Sequence, residues 1–366
     1  MTVKDSEREI TIYDIANEAG VSPATVSRVL TRSASVSPAK REAVERLIRK
    51  YKFRPNAMAR RLGDTRTQML GLMVADIRNP YYAALAVECE KAANKRGYTV
   101  LLCNALNDDA LEDSNLEKLH EQRADAIIQI GCRADDLTSD QNYVRHVNQI
   151  SRTTPFVITG KLDGANCYRL NIDDAKGMDI IVEHLVALGH REIALVGGRK
   201  RVKSTYDKWQ EYLRLLEQHH LVLRDEYFQE GNYTDRGGYD CMNRLLRLDS
   251  VPSAIIAIND FSAAGVMKAA MEKGLAIPQD ISVISFDNTF LSETLSPKLT
   301  TIDYDYVLFG QSLVDIAIDA STGNDICREQ YITPKLIVRE SCGPAHRKAH
   351  KRPAQRGNTP TRRKKE

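Results

Sequence analysis

A chain of 366 residues, 42% apolar and 28% charged, is long enough for two to three domains and has no apolar run of membrane-spanning length. Its net charge of +3 conceals a segregation: residues 1–66 carry 14 Lys/Arg against 8 Asp/Glu, residues 344–366 carry 9 against 1, and the stretch between carries 29 against 40. A basic head and tail on an acidic body is the electrostatic footprint of a nucleic-acid binder, and the lack of a secretory or transit signal predicts a soluble, cytoplasmic protein with no membrane partner.

The first elements form a compact pattern. Thr11 is a good N-cap, and Ile12, Ile15, Ala16 and Ala19 recur at helical spacing. Gly20 supplies the positive φ that ends this helix, and Ser22 caps a second one with Pro23 at its first position. Val21, Val26, Val29 and Leu30 point inward, which leaves Pro23, Ala24, Thr25, Ser27 and Arg28 outside or at the helix start. A helix with small outward residues sits deep in a major groove, and an arginine on it can read guanine with two hydrogen bonds. The pattern therefore predicts a DNA-reading helix-turn-helix. Ser37-Pro38 caps and opens a third helix to about Lys50, with Val44, Leu47 and Ile48 as its apolar stripe.

Residues 53–63 follow, with Pro55 able to open a short helix and Gly63 to close it. Two turns are too few for a helix to stand alone. A symmetric copy on DNA would support it, with Leu62 as an apolar wedge in the minor groove.

From Met69 onward, strand and helix signals alternate. Apolar, β-rich runs lie at Leu70–Ala75, Thr99–Cys103, Ala126–Ile130, Phe156–Thr159, Arg169–Ile172, Ile193–Val196, Ala254–Ile258 and Ser282–Phe286. Amphipathic helices separate them, among them Tyr81–Lys95, Ala175–Leu188, Lys208–Gln218, Asp235–Arg247 and Ser262–Lys273, and late segments Leu299–Asp303 and Tyr331–Val338 follow. Continuous apolar strands between helices indicate parallel sheets covered on both faces, and about ten of them exceed one comfortable open sheet. Two doubly wound lobes are expected. Residues 344–366, with three prolines and no apolar stripe, read as a disordered basic tail. The seven cysteines form no CxxC pair and no regular Cys/His spacing, so neither disulfides nor a metal site is implied, and no cofactor either. No GxGxxG, GxxxxGK[ST] or GxSxG stands in a strand–helix context, which argues against an enzyme.

Tyr13-Asp14-Ile15-Ala16, Val21-Ser22, Thr25 to Leu30 and Pro55 to Leu62 resemble the LacI/GalR family of bacterial regulators. The likeness continues through Asn79-Pro80-Tyr81-Tyr82, His184 to His190, Asn259-Asp260, Asp280 to Asp287 and Leu299 to Ile302, covering about residues 10–342. It implies an all-α helix-turn-helix head over 1–53, a hinge helix and linker over 54–67, and an α/β, two-lobed, periplasmic-binding-protein-like body over 68–342. The implied first lobe is about 68–167 plus 297–327, the second about 168–296 plus 328–342. It also implies DNA contacts from Thr11, Tyr13, Pro23, Ala24, Thr25, Ser27, Arg28, Asn56, Ala59 and Leu62. The body belongs on a homodimer that binds a pseudo-palindromic DNA operator as a repressor, under the control of a small-molecule effector.

Ligands of doubly wound sheets bind at the carboxyl ends of the strands. By resemblance, Tyr82 and Tyr233 are aromatic walls, and Asn259 and Asp287 hold ligand hydroxyls or a base edge. The plainer alternative makes these tyrosines lobe-core residues and Asp287 a turn cap. Two positions depart from the family pattern: Thr205 stands where an arginine is common, with Lys208 in place of a glycine, and Gly160 stands where many relatives have aspartate. The run Arg199 to Lys203 could attract a phosphorylated ligand or be a solvated loop. A sugar or sugar derivative is the expected effector, with control by a nucleoside, a purine or a partner protein as the alternative.

Overall fold

The computed structural model describes residues 10–30, 36–53 and 66–345. The expected hinge contacts Asn56, Ala59 and Leu62, and the tail from residue 346, lie outside the described residues. The chain divides into two units, Met1–Thr67 and Gln68–Glu366.

In the first unit, three helices, α1 (Ile12–Glu18), α2 (Pro23–Leu30) and α3 (Pro38–Lys50), enclose Ile15, Ala16, Val26, Val29, Val44 and Leu47. Thr11 and Asp14 form a reciprocal cap at the start of α1, the Thr11 N–H donating to Asp14 Oδ2 at 2.9 Å. Gly20 takes φ +63° between α1 and α2, as the turn requires. The Thr25 N–H donates to Ser22 Oγ at 3.3 Å. The expected Ser37 cap differs: its side chain makes no capping bond, and Pro38 alone marks that start. Glu18 ties α1 to the end of α3, accepting from Lys50 Nζ and Tyr51 Oη, each at 2.7 Å.

The second unit holds two six-stranded sheets. The first runs in the order β11 (Glu329–Ile332), β5 (Tyr168–Ile172), β4 (Phe156–Thr159), β3 (Ala126–Ile130), β1 (Met69–Val74), β2 (Thr99–Asn104), with every pairing parallel. Period-two side-chain alternation sends Leu70, Leu72 and Val74 of β1 against α4 (Pro80–Lys95) and α12 (Tyr306–Thr322). Met69 and Met73 pack instead with α5 (Asp109–Glu121) and α6 (Gln141–Ile150).

The second sheet runs β12 (Lys335–Ile337), β10 (Thr300–Asp303), β9 (Ser282–Asp287), β8 (Ala254–Ala257), β6 (Ile193–Val196), β7 (Phe228–Gln229), parallel except for β10 with β12. One face packs on α7 (Asp174–Ala187) and α8 (Lys203–Gln218), the other on α9 (Asp235–Leu245) and α10 (Asp260–Glu272). A single-turn helix, α11 (Leu291–Thr294), leads toward β10. Among the described residues, no helix is long and apolar enough to cross a membrane.

The lobe boundaries implied by resemblance require correction. Tyr168–Ile172 and Glu329–Ile332 pair with each other and extend the first sheet, although both were expected in the second lobe. Thr300–Asp303 pairs with β9 in the second sheet, although it was expected in the first lobe. The reason is physical: an apolar run announces a strand but not the sheet edge it joins. The chain therefore passes between lobes after residue 172, after residue 303 and after residue 332.

Helices α9 and α10 cross at two glycines. A Cβ on Gly238 would overlap the Ser262 carbonyl, and one on Gly265 would overlap that of Asp235. Helix propensity alone makes Gly→Ala favourable by about 1 kcal/mol, whereas overpacking costs about 1–3 kcal/mol. Gly265→Ala is therefore expected to lower the urea midpoint of the full chain, and a raised midpoint would contradict this packing.

Candidate effector cleft and DNA-reading face

On the head, Tyr13 is 70% exposed, and Ala24, Ser27 and Arg28 of α2 are also exposed, while Pro23 and Thr25 are half-buried. Thr11 is exposed too, but its hydroxyl is engaged with Asp14 Oδ2 at 2.7 Å, so its first role is to start α1. The outward set on α2 is small and polar, with Arg28 in its last turn.

In the body, the strand ends of both sheets open onto one cavity of about 860 Å³ between the lobes. Tyr82, Tyr233, Asn259 and Asp287 line it, together with Asp135, Asp174 and Lys208. Each is placed by local chain geometry. Asn79 caps α4, accepting from the Tyr81 N–H at 3.1 Å, with Pro80 at the first helical position, and this sets Tyr81 and Tyr82 on the first turn. Their rings meet edge-on at 5.0 Å. Tyr82 Oη lies so close to Gly131, the φ +75° residue after β3, that a side chain there would collide with it.

Thr205 is not a lining residue. It is fully buried, and its hydroxyl shares a 2.8 Å hydrogen bond with Tyr233 Oη. A Cβ at Gly198 would strike the same hydroxyl, so Thr205 fills the space behind Tyr233 and fixes that ring. Asn259 is also largely committed to the protein: its Oδ1 accepts from the Ser262 N–H at 2.8 Å, and its Nδ2 donates to the Tyr233 carbonyl at 3.2 Å. Both residues position the tyrosine wall.

Gly160 has a structural reason. It takes φ +105°, and a Cβ there would overlap the Ala134 carbonyl, so no aspartate fits on this backbone. Asn171 holds the same loop, exchanging hydrogen bonds of 2.5 and 3.0 Å with Gly160. The basic run divides: Arg199, Arg201 and Lys203 line the cleft, whereas Lys200 turns to the faces of Trp209 at 3.8 Å and Phe228 at 4.7 Å.

Asp287 ends β9 at φ +105° and is 6% exposed. Its neighbour Asp260, fully buried, accepts from Ser285 at 2.6 Å, from Thr301 at 2.8 Å, and from the Thr289 backbone and hydroxyl at 2.6 and 2.9 Å. Burial, and then the negative charge of Asp260, push the Asp287 carboxyl well above the usual carboxylate range.

Several cleft residues escaped the sequence reading. Lys208 is 5% exposed, donates to Asp174 Oδ1 at 2.5 Å, and lies 4.8 Å from the Phe286 ring centre. Across the cleft, Asp135 accepts from the Ser204 hydroxyl at 2.7 Å and from its N–H at 3.2 Å, a carboxylate of one lobe at the start of a helix in the other. The Leu137 N–H donates to the Arg201 carbonyl at 2.8 Å, and Asp136 bridges to Val202 alongside. The missed signal was the first turn of α8, which begins at Lys203 rather than Lys208 and sets Ser204, Asp207 and Lys208 at helical i, i+3, i+4 spacing.

A helix-turn-helix with a polar outer face, joined to a two-lobed body whose strand ends surround a cleft, defines a DNA-binding regulator with a ligand site rather than an enzyme. Residues 11–56 match the bacterial regulatory proteins of the lacI family, and residues 182–342 match a periplasmic binding protein-like domain. The HTH-type transcriptional repressor PurR of Haemophilus influenzae (strain PittEE) is 31% identical over 335 residues, which span 90% of this chain and 98% of that protein. Catabolite control protein A of Priestia megaterium is 34% identical over 296 residues, 80% of this chain and 87% of that one. A Lac repressor dimer bound to operator and the anti-inducer ONPF superposes with a TM-score of 0.83 at 27% identity, covering 92% of this chain and all of that one. The chain belongs to the LacI family of transcriptional regulators.

The cross-lobe carboxylate carries a pH signature. Burial in the cleft, opposed by the Ser204 hydrogen bond and reinforced by the charge of Asp174, pushes Asp135 from 3.8 up to about 6. The folded protein therefore keeps this proton at a pH where the unfolded chain has lost it, so the contribution is greatest below 3.8 and is lost as pH rises to about 6. Lys208 moderates the effect, and Asp174 shifts in the same direction. In Asp135→Asn, the decline in denaturation midpoint across that window should become shallower than in the parent chain; an equal decline would contradict the assignment.

Proposed function

We propose that this regulator is a repressor that binds a pseudo-palindromic operator as a homodimer in the cytoplasm, with operator affinity set by a sugar or sugar derivative held between the lobes. One helix-turn-helix reads one half-site, so a two-fold pair of chains is the natural reader of a palindrome. Arg28, exposed on α2, reads a base edge, with Ala24, Ser27 and Thr25 allowing close approach and Tyr13 and Thr11 at the rim. In the body, Tyr82 and Tyr233 are the walls against a ligand ring, and Asp287 receives its hydrogen-bond donors. Asn259 and Thr205 act through Tyr233.

The observation that carries this reading is the cleft itself: aromatic rings from both lobes, and a buried carboxylate facing a cavity of about 860 Å³, large enough for a small polar ring compound. A ligand touching both lobes favours the arrangement in which they meet, and such coupling is worth about 1–3 kcal/mol in typical allosteric systems. A nucleoside or purine is the second reading, favoured by the facing tyrosines, which suit a flat base as well as a sugar face.

The test on the DNA side starts from an operator selected out of a random duplex pool by the full chain. Arg28→Ala should weaken binding to that operator by about 1–3 kcal/mol and relax the preference at one base pair per half-site. An equal loss on unrelated DNA would assign Arg28 to phosphate contact instead. On the ligand side, Tyr82→Ala and Tyr233→Ala should each abolish the thermal stabilisation given by the compound that releases the operator.

A further inference from the structure

We propose that the effector of this cleft carries a cationic nitrogen, such as the ammonium group of an amino sugar, and that the nitrogen seats against the Asp287 carboxylate. The inference rests on the reading of the cleft as the effector site and narrows the chemistry of what enters it.

The argument is an inventory of charge at the cleft floor. Four carboxylates gather there, Asp135, Asp174, Asp260 and Asp287, and three have their donors on the page. Asp135 holds the start of α8 through Ser204, Asp174 takes the Lys208 ammonium at 2.5 Å, and Asp260 receives four hydrogen bonds. Asp287 is the exception: 6% exposed and lining the cavity, it receives no hydrogen bond from any described residue. A buried carboxylate without a partner is costly, and such groups are retained where something else completes them.

No protein cation is in a position to do so. Lys208 is taken by Asp174, Lys203 pairs with Asp207, and Arg133 pairs with Glu112 at 3.3 Å and Asp113 at 2.6 Å. Arg199 and Arg201 are exposed at the rim. Nor can the carboxylate swing away. Its backbone is held at φ +105°, and the next two residues are anchored, Asn288 to Asp303 at 2.9 Å and Thr289 to Asp260.

A phosphate placed at this floor would add negative charge to an acidic cluster. A neutral hydroxyl would offer a hydrogen bond but leave the charge uncompensated. An ammonium does both tasks, and the Tyr82 ring gives its carbon frame an aromatic face. The upward displacement of the Asp287 carboxyl has the same origin, and a bound cation would reverse it.

The experiment is isothermal titration of the full chain at neutral pH with matched probes: D-glucosamine, D-galactosamine, their parent sugars, their N-acetyl derivatives and the parent 6-phosphates. An amine should bind about tenfold or more tightly than its neutral parent and its N-acetyl form. Asp287→Asn, which keeps the shape and tolerates the positive φ, should bring that ratio to within about twofold, and Asp287→Ser should do the same if the amide fails to fold. Parity between amine and parent in the wild-type chain, tighter binding of a 6-phosphate, or a preference that survives both substitutions would overturn the proposal. If no probe of any charge binds, and purines and nucleosides do so with no amine preference, the sugar reading falls as well. If nothing of either kind binds, the effector cleft itself is refuted.

Discussion

Asp135, on the loop after β3 of the first lobe, accepts hydrogen bonds from the Ser204 hydroxyl and N–H at the start of α8 in the second. The lobes otherwise share three passages of chain, and the side chains that line the cleft come from both sides of that seam. A carboxylate at a helix N-terminus is favoured by the unpaired N–H groups and the local dipole, while its partial burial disfavours the charge. These opposed effects make the contact sensitive to what lies beside it. Asp174 and Lys208 are its charged neighbours, so a ligand that alters the field at the floor acts on the seam directly.

Close backbone approach is the second constraint, and it explains why this cleft departs from the family pattern. Gly160 and Gly198 each lie where a side chain would overlap the Ala134 carbonyl or the Thr205 side chain. With the loop after β4 pressed onto Ala134, an aspartate has no room, and acidic function at the floor falls to Asp135, Asp174 and Asp287. With a small Thr205 behind Tyr233, the ring is held by a hydroxyl contact rather than by an arginine. Lys208 restores a positive charge one helical turn further along α8, where Asp174 absorbs it.

Much of this was legible in the sequence because it rests on local rules. Thr11 with Asp14, Gly20, Ser22-Pro23 and Pro38 punctuate the head helices, and Ile15, Val26, Val29 and Leu47 fall at helical spacing. The continuous apolar strands announced two covered sheets. What was not legible is non-local. The sheets chosen by Tyr168–Ile172, Thr300–Asp303 and Glu329–Ile332 depend on edge pairing, which an apolar run does not encode. Tyr82, Tyr233 and Asp287 were found by their places at strand ends, but the Asp135–Ser204 contact joins positions 69 residues apart and leaves no periodic trace. Thr205 looked like a pocket residue until the burial of its hydroxyl under Tyr233 showed otherwise.

The central claim is that the meeting of the lobes at the cleft governs how the head binds its operator. The most direct measurement is the operator dissociation constant of Ser204→Ala and Asp135→Ala in the full chain, compared with binding to unrelated duplex under the same salt. Removing the seam should shift specific binding by about 1–3 kcal/mol, the scale of an allosteric coupling, and leave non-specific binding unchanged. Unchanged operator affinity in both variants, with the fold intact, would contradict the account.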